Sequence, residues 1–314
     1  MHFIIPAAAP SGPSCQSALA GLKLPNLVTL LRTLTPVATL QGQDDDLSPL
    51  SERVMSQNAF ADGLIPWAAL RAADLPHAAP HAAWGLITPC HLVVHADHIA
   101  MRDPAELDLE DAESRALLQS MAPYFQEDGL QLHYVQADIW LVQGEALRRL
   151  PTASLERVRG QTIDPWMPGT EAARMLRRLQ NEMQMLLYTD PVNDARAARG
   201  APRVNSFWLS GTGDLPAGPS PFLQATVLGT LQTAALRDDG AAWAHAWQML
   251  DSGPLAQWVQ SLSKHPTATG SPGLSLSLCG QHGARTWRQQ PRSLLHRLVT
   301  RLRGAPLTAL LKDL

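Results

Sequence analysis

The sequence predicts an α/β fold, and three observations carry that expectation. The opening apolar run His2-Phe3-Ile4-Ile5 is stopped by Pro6 and a Pro/Gly/Ser cluster reaching Ser14, the pattern of a buried first strand followed by a turn. Segments of helical period then alternate with further short apolar runs along the chain. Finally, 314 residues of which 45% are hydrophobic can build two domains of ordinary size or one large α/β domain, and exclude disorder as the main state.

The elements follow in order. Pro25 near a first turn, with Leu27, Leu30, Leu31 and Leu34 on one face, predicts a helix opening at Leu24 to Asn26. Gln41 to Pro49, which contains Asp44-Asp45-Asp46, reads as a polar loop, and Ser51 to Asp62 as a second helix closed by Gly63. The Pro/His/Ala-rich stretch from Asp74 to Pro80 is the best candidate for a domain boundary. WGLITPCHLVV at 84–94 reads as a strand with an edge or bulge at Pro89. A helix over Glu110 to Gln126 is closed by Gly129, and Leu130 to Val135 with Ile139 to Val142 form a hairpin around Gln136-Ala137. Thr170 to Leu187 is the most periodic helix, striped by Leu176, Leu179, Met183 and Leu186. Val204 to Leu209 reads as a strand ending in a Gly-rich turn, Ser210-Gly211-Thr212-Gly213. Helices run from Pro221 to about Leu262, and Leu274, Leu276 and Leu278 alternate with serines as a half-exposed strand. From Ser293 to Arg303 a basic amphipathic helix carries Leu294, Leu295, Leu298 and Leu302 on its apolar side, a surface helix or a docking site for a protein partner.

Charge and cysteine usage narrow the function classes. With 25 basic and 28 acidic residues the net charge is −3, and a pI of 6.4 offers no footprint for a phosphate backbone, so nucleic acid is not an expected partner. Only Lys23, Lys264 and Lys312 are lysines, so the cationic side chains are almost all planar guanidinium forks, suited to carboxylate or phosphate. Cys15, Cys90 and Cys279 are odd in number and far apart, which supplies neither a disulfide framework nor a CxxC knuckle. The start has no cationic segment ahead of a long apolar run, and nowhere do 18 apolar residues run together, so the expectation is a cytoplasmic protein without a membrane role.

The densest candidate site is Asn193, Arg196, Arg199, Arg203 and Asn205 with Gly211 and Gly213. Arg196 and Arg199 are three apart on a helix face, close enough to converge on one anion, and a glycine turn would add backbone N–H groups. The alternative is that the arginines solvate a helix end and the glycines only make turns. His91, His95 and His98 are the candidate metal ligands: His91 and His95 share a strand face, and His98 or Asp97 would have to fold back. The helical spacing of an HExxH site is missing, as are GxSxG, GxGxxG and Walker motifs.

NDARAARGAPRVNSFWLSGTG at 193–213 resembles a segment of the archaeal-type, cofactor-independent phosphoglycerate mutases, of pattern N-x-x-R-x-x-x-G-x-x-P-A-N-x-x-W-L-x-G-x-G. LPNLVTLL at 24–31, LSPLSERV to DGL at 47–64 and ITPCHLVV at 87–94 are similar to further segments of that family in the same order. The chain also resembles the proteobacterial RpfE-type regulatory proteins, notably in NEMQMLLYTDPVNDARAARG and VNSFWLSGTG. The resemblance implies a shortened alkaline-phosphatase-like core, residues 1–80 and 217–314, with an inserted α+β domain at 81–216.

That family's chemistry needs two Mn²⁺ or similar ions held by Asp and His, and a Ser or Thr that takes and returns the phosphoryl group. The first strand of the family ends in Asp-Gly, where this chain has Pro6-Ala7, and the nucleophile segment corresponds to Pro36 to Gly42, which lacks a comparable Ser. No D-x-x-x-H or D-H pair follows Gly213, and Asp251 with His245, or His265 with His282, does not restore one. The resemblance therefore implies a non-catalytic homologue without cofactor, regulatory or binding a small phosphorylated acid through Asn193, Arg196, Arg199 and Asn205. The alternative is a mutase or phosphatase using Mn²⁺ or Zn²⁺ on unrecognised ligands, with the histidines at 91, 95 and 98 as the first candidates.

Overall fold

The computed structural model describes residues 1–75, 79, 81–167, 169, 173–264, 273–290 and 307–314. The chain divides into two compact units: unit 1 comprises 1–44, 50–58 and 222–314, and unit 2 comprises 45–49 and 59–221. The crossings thus fall between Asp44 and Ala59 and at Pro221–Phe222, and residues 59–75 belong with unit 2. The expected boundary at Asp74 to Pro80 lies partly outside the described residues.

Along the chain the elements are β1 (His2–Ile5), α1 (Pro13–Leu19), α2 (Pro25–Thr33), β2 (Thr35–Gln41), α3 (Leu50–Met55), α4 (Trp67–Ala72), β3 (Trp84–Cys90), β4 (Leu92–Val94), β5 (Ile99–Met101), α5 (Asp111–Glu127), β6 (Gln131–Gln136) and β7 (Ile139–Gln143). They continue with α6 (Leu155–Val158), α7 (Arg174–Tyr188), α8 (Pro191–Ala198), β8 (Ser206–Gly213), β9 (Ala225–Val227), α9 (Gln232–Leu236), α10 (Gly240–Leu250), α11 (Ala256–Lys264), β10 (Ser275–Cys279), β11 (Gly283–Arg288) and α12 (Leu307–Lys312). The mixture is α/β, as expected.

Unit 1 is a five-stranded mixed sheet in the order β2-β11-β10-β1-β9. β1 runs parallel to β10 on one side and β9 on the other, and β11 is antiparallel to both of its neighbours. Phe3 and Ile5 face a core built with Leu27, Leu30, Trp243, Trp247, Leu276 and Leu278, whereas Ile4 faces a smaller cluster with Leu50, Val54, Cys279 and Ala284. Because both faces are covered, β10 is buried along its whole length rather than half-exposed. Its Ser277 is accommodated by hydrogen bonds to His2 Nε2 (2.8 Å) and Thr286 Oγ1 (2.7 Å), which satisfy the buried hydroxyl. The edge strand β2 occupies Thr35–Gln41, ahead of the expected polar loop and in a stretch for which the sequence predicts no element. Pro36 lies near its start, an edge position that tolerates a missing N–H. Helix α3 stops at Met55 instead of running to Asp62, with Gln57 and Asn58 at positive φ.

Two N-termini in unit 1 are held by distant carboxylates. Asp251 is buried and accepts from the N–H groups of Asn26 (3.3 Å) and Leu27 (2.8 Å) at the start of α2. Asp238 accepts from the N–H groups of Ser14 and Cys15 in α1, both at 3.1 Å. Each supplies an acceptor for donors that a helix start leaves without partners.

Unit 2 is an antiparallel sheet in the order β6-β7-β3-β8, with a separate β4–β5 hairpin. β6 and β7 form the expected hairpin, and α5 and α7 bury Leu117, Met121, Phe125, Leu176, Leu179 and Met183 in one core with Ile87, Trp140 and Phe207. β3 is central, yet Pro89 sits beyond its β7 pairing, which covers Trp84 to Ile87, so the absent N–H costs no ladder bond there. β8 does not end at Leu209: it continues through Ser210-Gly211-Thr212-Gly213 and is buried throughout, so the expected turn is a strand. Helix α7 begins at Arg174, later than the Thr170 expected, and residues 170–172 lie outside the described ones. So does the expected helix from Ser293 to Arg303.

Candidate functional site

Two places invite a site: the 193–213 cluster in unit 2, and the carboxyl ends of the parallel strands in unit 1, where open α/β sheets take their ligands.

The cluster begins at α8. Asp190 caps it, accepting from the Val192 N–H at 2.9 Å, and Pro191 opens its first turn. This places Asn193 and Arg196 on the inward face, where both are fully buried. The Asn193 amide donates to the Leu187 carbonyl (2.8 Å) and the Val204 carbonyl (2.7 Å), and its Oδ1 accepts from the Val204 N–H (2.8 Å). Arg196 Nε donates to the Pro202 carbonyl at 2.9 Å, one terminal nitrogen to the Leu107 carbonyl and the other to Glu113 Oε2. Arg199, 43% exposed, places NH1 2.6 Å from Glu113 Oε1. The two arginines do converge on one anion, and that anion is the carboxylate of the protein's own Glu113. Burial pushes the Glu113 carboxyl up, but the Arg199 hydrogen bond, the Glu110 backbone and Arg196 outweigh it and hold it below its ordinary value.

The remaining members are engaged in the same way. Asn205 accepts from the Leu92 N–H (2.7 Å) and donates to the Leu92 carbonyl (2.8 Å), pinning the start of β4. Arg203, 38% exposed, lies 3.4 Å from Asp194 and lends its carbonyl to His91 Nδ1 at 2.7 Å. Gly211 and Gly213 are at φ +60° and +127°, inside β8. A Cβ on Gly211 would come within 3.0 Å of Trp67 Cβ, and one on Gly213 within 3.3 Å of Pro66 Cβ, so these glycines admit α4 against the strand. They line no anion-binding turn. Glu113 and Glu110, the partners that explain the arginines, sit some 80 residues earlier, at the start of the helix α5.

The histidines spread apart in role. His91 is tied to Arg203, whereas His95 and His98 stack at the tip of the β4–β5 hairpin with ring centroids 4.4 Å apart and planes 16° apart. Near-parallel rings send their in-plane lone pairs side by side instead of toward a common point. His98 Nδ1 faces Asp97 Oδ1 at 2.7 Å. Among the described residues no group of three or more His, Cys, Asp or Glu side chains gathers to hold a metal ion. The described residues therefore do not fit the two-metal centre that the resemblance implies, and no metal step is assigned.

In unit 1 the turn after β1 is tied to the turn after β10. The chain turns back through Pro6–Ala9 with Ala7 at φ +52°. The Ala8 N–H donates to the Cys279 carbonyl (2.8 Å), and the Gln281 N–H donates to the Ala9 carbonyl (3.1 Å). Trp243 Nε1 donates to the Ala7 carbonyl (3.0 Å) from α10. On the far side of the β10 turn, the Leu314 carbonyl accepts from the N–H groups of His282 (2.7 Å) and Gly283. A Cβ on Gly280 would meet the Leu314 carbonyl carbon at 2.5 Å, so glycine is needed for that close approach. Backbone groups of the neighbouring turns bind one another here.

No protein-family model matches the chain, and no curated protein matches it. Among solved structures, the chain path is similar to that of a cofactor-independent phosphoglycerate mutase from Thermoplasma acidophilum DSM 1728, at 12% identity and a TM-score of 0.39, covering 100% of this chain and 99% of that one. It is also similar to the PH0037 protein from Pyrococcus horikoshii, at 10% identity and a TM-score of 0.43, covering 92% and 87% of the two chains.

Proposed function

We propose that this chain is a non-catalytic relative of the cofactor-independent phosphoglycerate mutases and acts by binding, in a regulatory role, rather than by turnover. The kinship rests on the sequence segments at 24–31, 47–64, 87–94 and 193–213. The loss of chemistry is supported by one observation above all: the carboxyl end of β1 carries Pro6 and Ala7, side chains with no donor, acceptor or nucleophile. The histidines of the 91–98 segment supply no alternative centre. A phosphorylated acid remains the ligand class that the resemblance implies. Of the residues proposed for it, Arg199 and Arg203 keep partial exposure, whereas Arg196 and Asn193 would have to abandon buried partners.

The test is a calorimetric titration with 3-phosphoglycerate, with and without Mn²⁺, beside an assay of mutase and phosphatase turnover. Absence of turnover in both conditions is expected. Turnover that requires Mn²⁺ and is abolished by a chelator would overturn the reading. Metal-independent heat that disappears in Arg199→Ala would identify the phosphorylated acid as the bound ligand.

A further inference from the structure

In unit 1, α12 with Asp313 and Leu314 is seated on the turn between β10 and β11. The turn is shaped to receive it. A Cβ on Gly280 would come within 2.8 Å of three Leu314 atoms, and one on Gly283 would lie 2.8 Å from the Asp313 carbonyl oxygen, so the two glycines leave room for a main chain. The successive N–H groups of His282 and Gly283 converge on one acceptor, the Leu314 carbonyl, and the Arg285 guanidinium lies 3.3 Å from the Asp313 carboxylate. Leu311 and Leu314 are 1% and 3% exposed and belong to the apolar cluster that contains Leu276, Leu278 and Trp287. The seat therefore reads a main-chain oxygen, an acidic side chain and two leucines three residues apart.

What holds the segment is modest. Its helix has six residues, too few to be stable alone, and among the described residues the segment pairs with neither sheet of unit 1 nor of unit 2. Two buried leucines, two N–H bonds to one oxygen and a partly exposed ion pair make a hold of the kind that opens locally while the domain stays folded. We propose that the β10–β11 turn is a peptide-docking site, which residues 307–314 fill as a built-in ligand. A partner peptide with two leucines flanking an acidic residue, in the pattern of Leu311, Asp313 and Leu314, enters the seat when the resident segment leaves. The inference does not depend on whether the chain is catalytic.

The probe is a fluorescently labelled peptide of residues 307–314, read by polarisation against the full chain and against Leu311→Asp, which keeps the seat and spoils the resident segment. A tethered segment competes at an effective concentration on the order of millimolar, so the wild-type protein is expected to ignore micromolar peptide and Leu311→Asp to bind it about tenfold or more tightly. Adding Gly280→Ala is expected to remove that gain: the new Cβ fills the seat, and Gly280 lies outside the left-handed region, so alanine adds bulk without backbone strain. A folded Leu311→Asp protein that does not bind the peptide overturns the proposal, as does equal binding by the wild-type protein. Binding that survives Gly280→Ala places the peptide elsewhere and overturns the assignment to this turn. If Leu311→Asp abolishes the cooperative unfolding of unit 1, residues 307–314 are an inseparable part of its core and the proposal fails.

Discussion

After β1 the chain turns back and is tied to the β10 turn by N–H and carbonyl groups, whereas ahead of β8 it is tied by Asn193, Arg196 and Asn205 side chains. Both arrangements close a gap between non-local segments and leave few buried polar groups unpaired. Their sequence signatures differ completely. Backbone ties can be made by almost any residue, so Pro6–Ala9 and Cys279–Gln281 look featureless. Side-chain ties need particular donors and acceptors at fixed places, so 193–205 looks like a binding site even though its anion, Glu113, is internal. A cluster of arginines and asparagines signals that an acceptor is nearby, and says nothing about whether that acceptor belongs to the protein.

The sharpest way to break this comparison is to remove Arg196. Arg196→Ala leaves the Glu113 carboxylate with Arg199 and the Glu110 N–H and strands the Leu107 and Pro202 carbonyls. A loss of about 3–5 kcal/mol in unfolding free energy is expected, read from denaturant titration with the unfolding of unit 2 followed by its own probe. Gln281→Ala, which leaves the backbone tie to Ala9 in place, should stay within about 0.5 kcal/mol. A stable Arg196→Ala protein would mean that the arginine is held in reserve for a ligand after all.

The glycines separate turn from strand. Gly211→Ala forces a side chain to φ +60° and pushes its Cβ against Trp67 and Leu86, for an expected cost of about 2–3 kcal/mol. Gly200→Ala, at φ +76° but facing open space, should cost only about 1 kcal/mol. If Gly211 belonged to an exposed turn, the two would cost the same in a thermal melt.

Much of the architecture was legible. The buried β1, the β6–β7 hairpin and the stripe of α7 all rest on local periodicity, and local periodicity is what a sequence displays. The edge strand β2 was not legible because Thr35 to Gln41 carries a proline and is largely exposed, so it has neither an apolar run nor alternation. The end of β8 was misread as a turn because glycine has two uses, positive φ in a loop and close packing in a strand, and only the approach of Pro66 and Trp67 decides between them. Ser277 of β10 looked solvent-facing because its partners, His2 and Thr286, come from other strands. The surroundings of the candidate site were hidden in the same way: Asn193 to Asn205 is local, whereas Glu113, Leu107 and Leu92 come from elsewhere in the chain.

Among the side-chain ties of unit 1, the buried Asp251 carboxylate at the start of α2 is the one to set against the Arg196 bracket. Asp251→Ala removes an acceptor for two backbone N–H groups and for the Asn26 amide, for an expected loss of about 1–2 kcal/mol. Asp251→Asn retains an acceptor and should recover part of it. A cost as large as that of Arg196→Ala would show that unit 1, too, depends on side-chain ties, and would dissolve the contrast between the units.

The smallest expected effect is a dependence on pH that both units share. Burial lowers the pKa of His2 in unit 1, helped by the nearby Arg288 charge, and burial lowers that of His133 in unit 2, whose Nε2 has no hydrogen-bond partner among the described residues. A histidine with a folded-state pKa below its unfolded value of about 6.5 binds protons more readily in the unfolded chain, so the folded state loses stability as pH falls through that value. The loss levels off once pH passes below the folded-state pKa. Denaturation midpoints measured from pH 8 to pH 5.5 stay above the range where carboxylates with lowered pKa values, such as Glu113, begin to contribute. His2→Gln should flatten the dependence of unit 1 alone and His133→Gln that of unit 2 alone, because each ring titrates against its own surroundings. Midpoints that rise toward pH 5.5 would require these rings to gain a proton on folding, which neither the Arg288 charge beside His2 nor the burial of His133 allows.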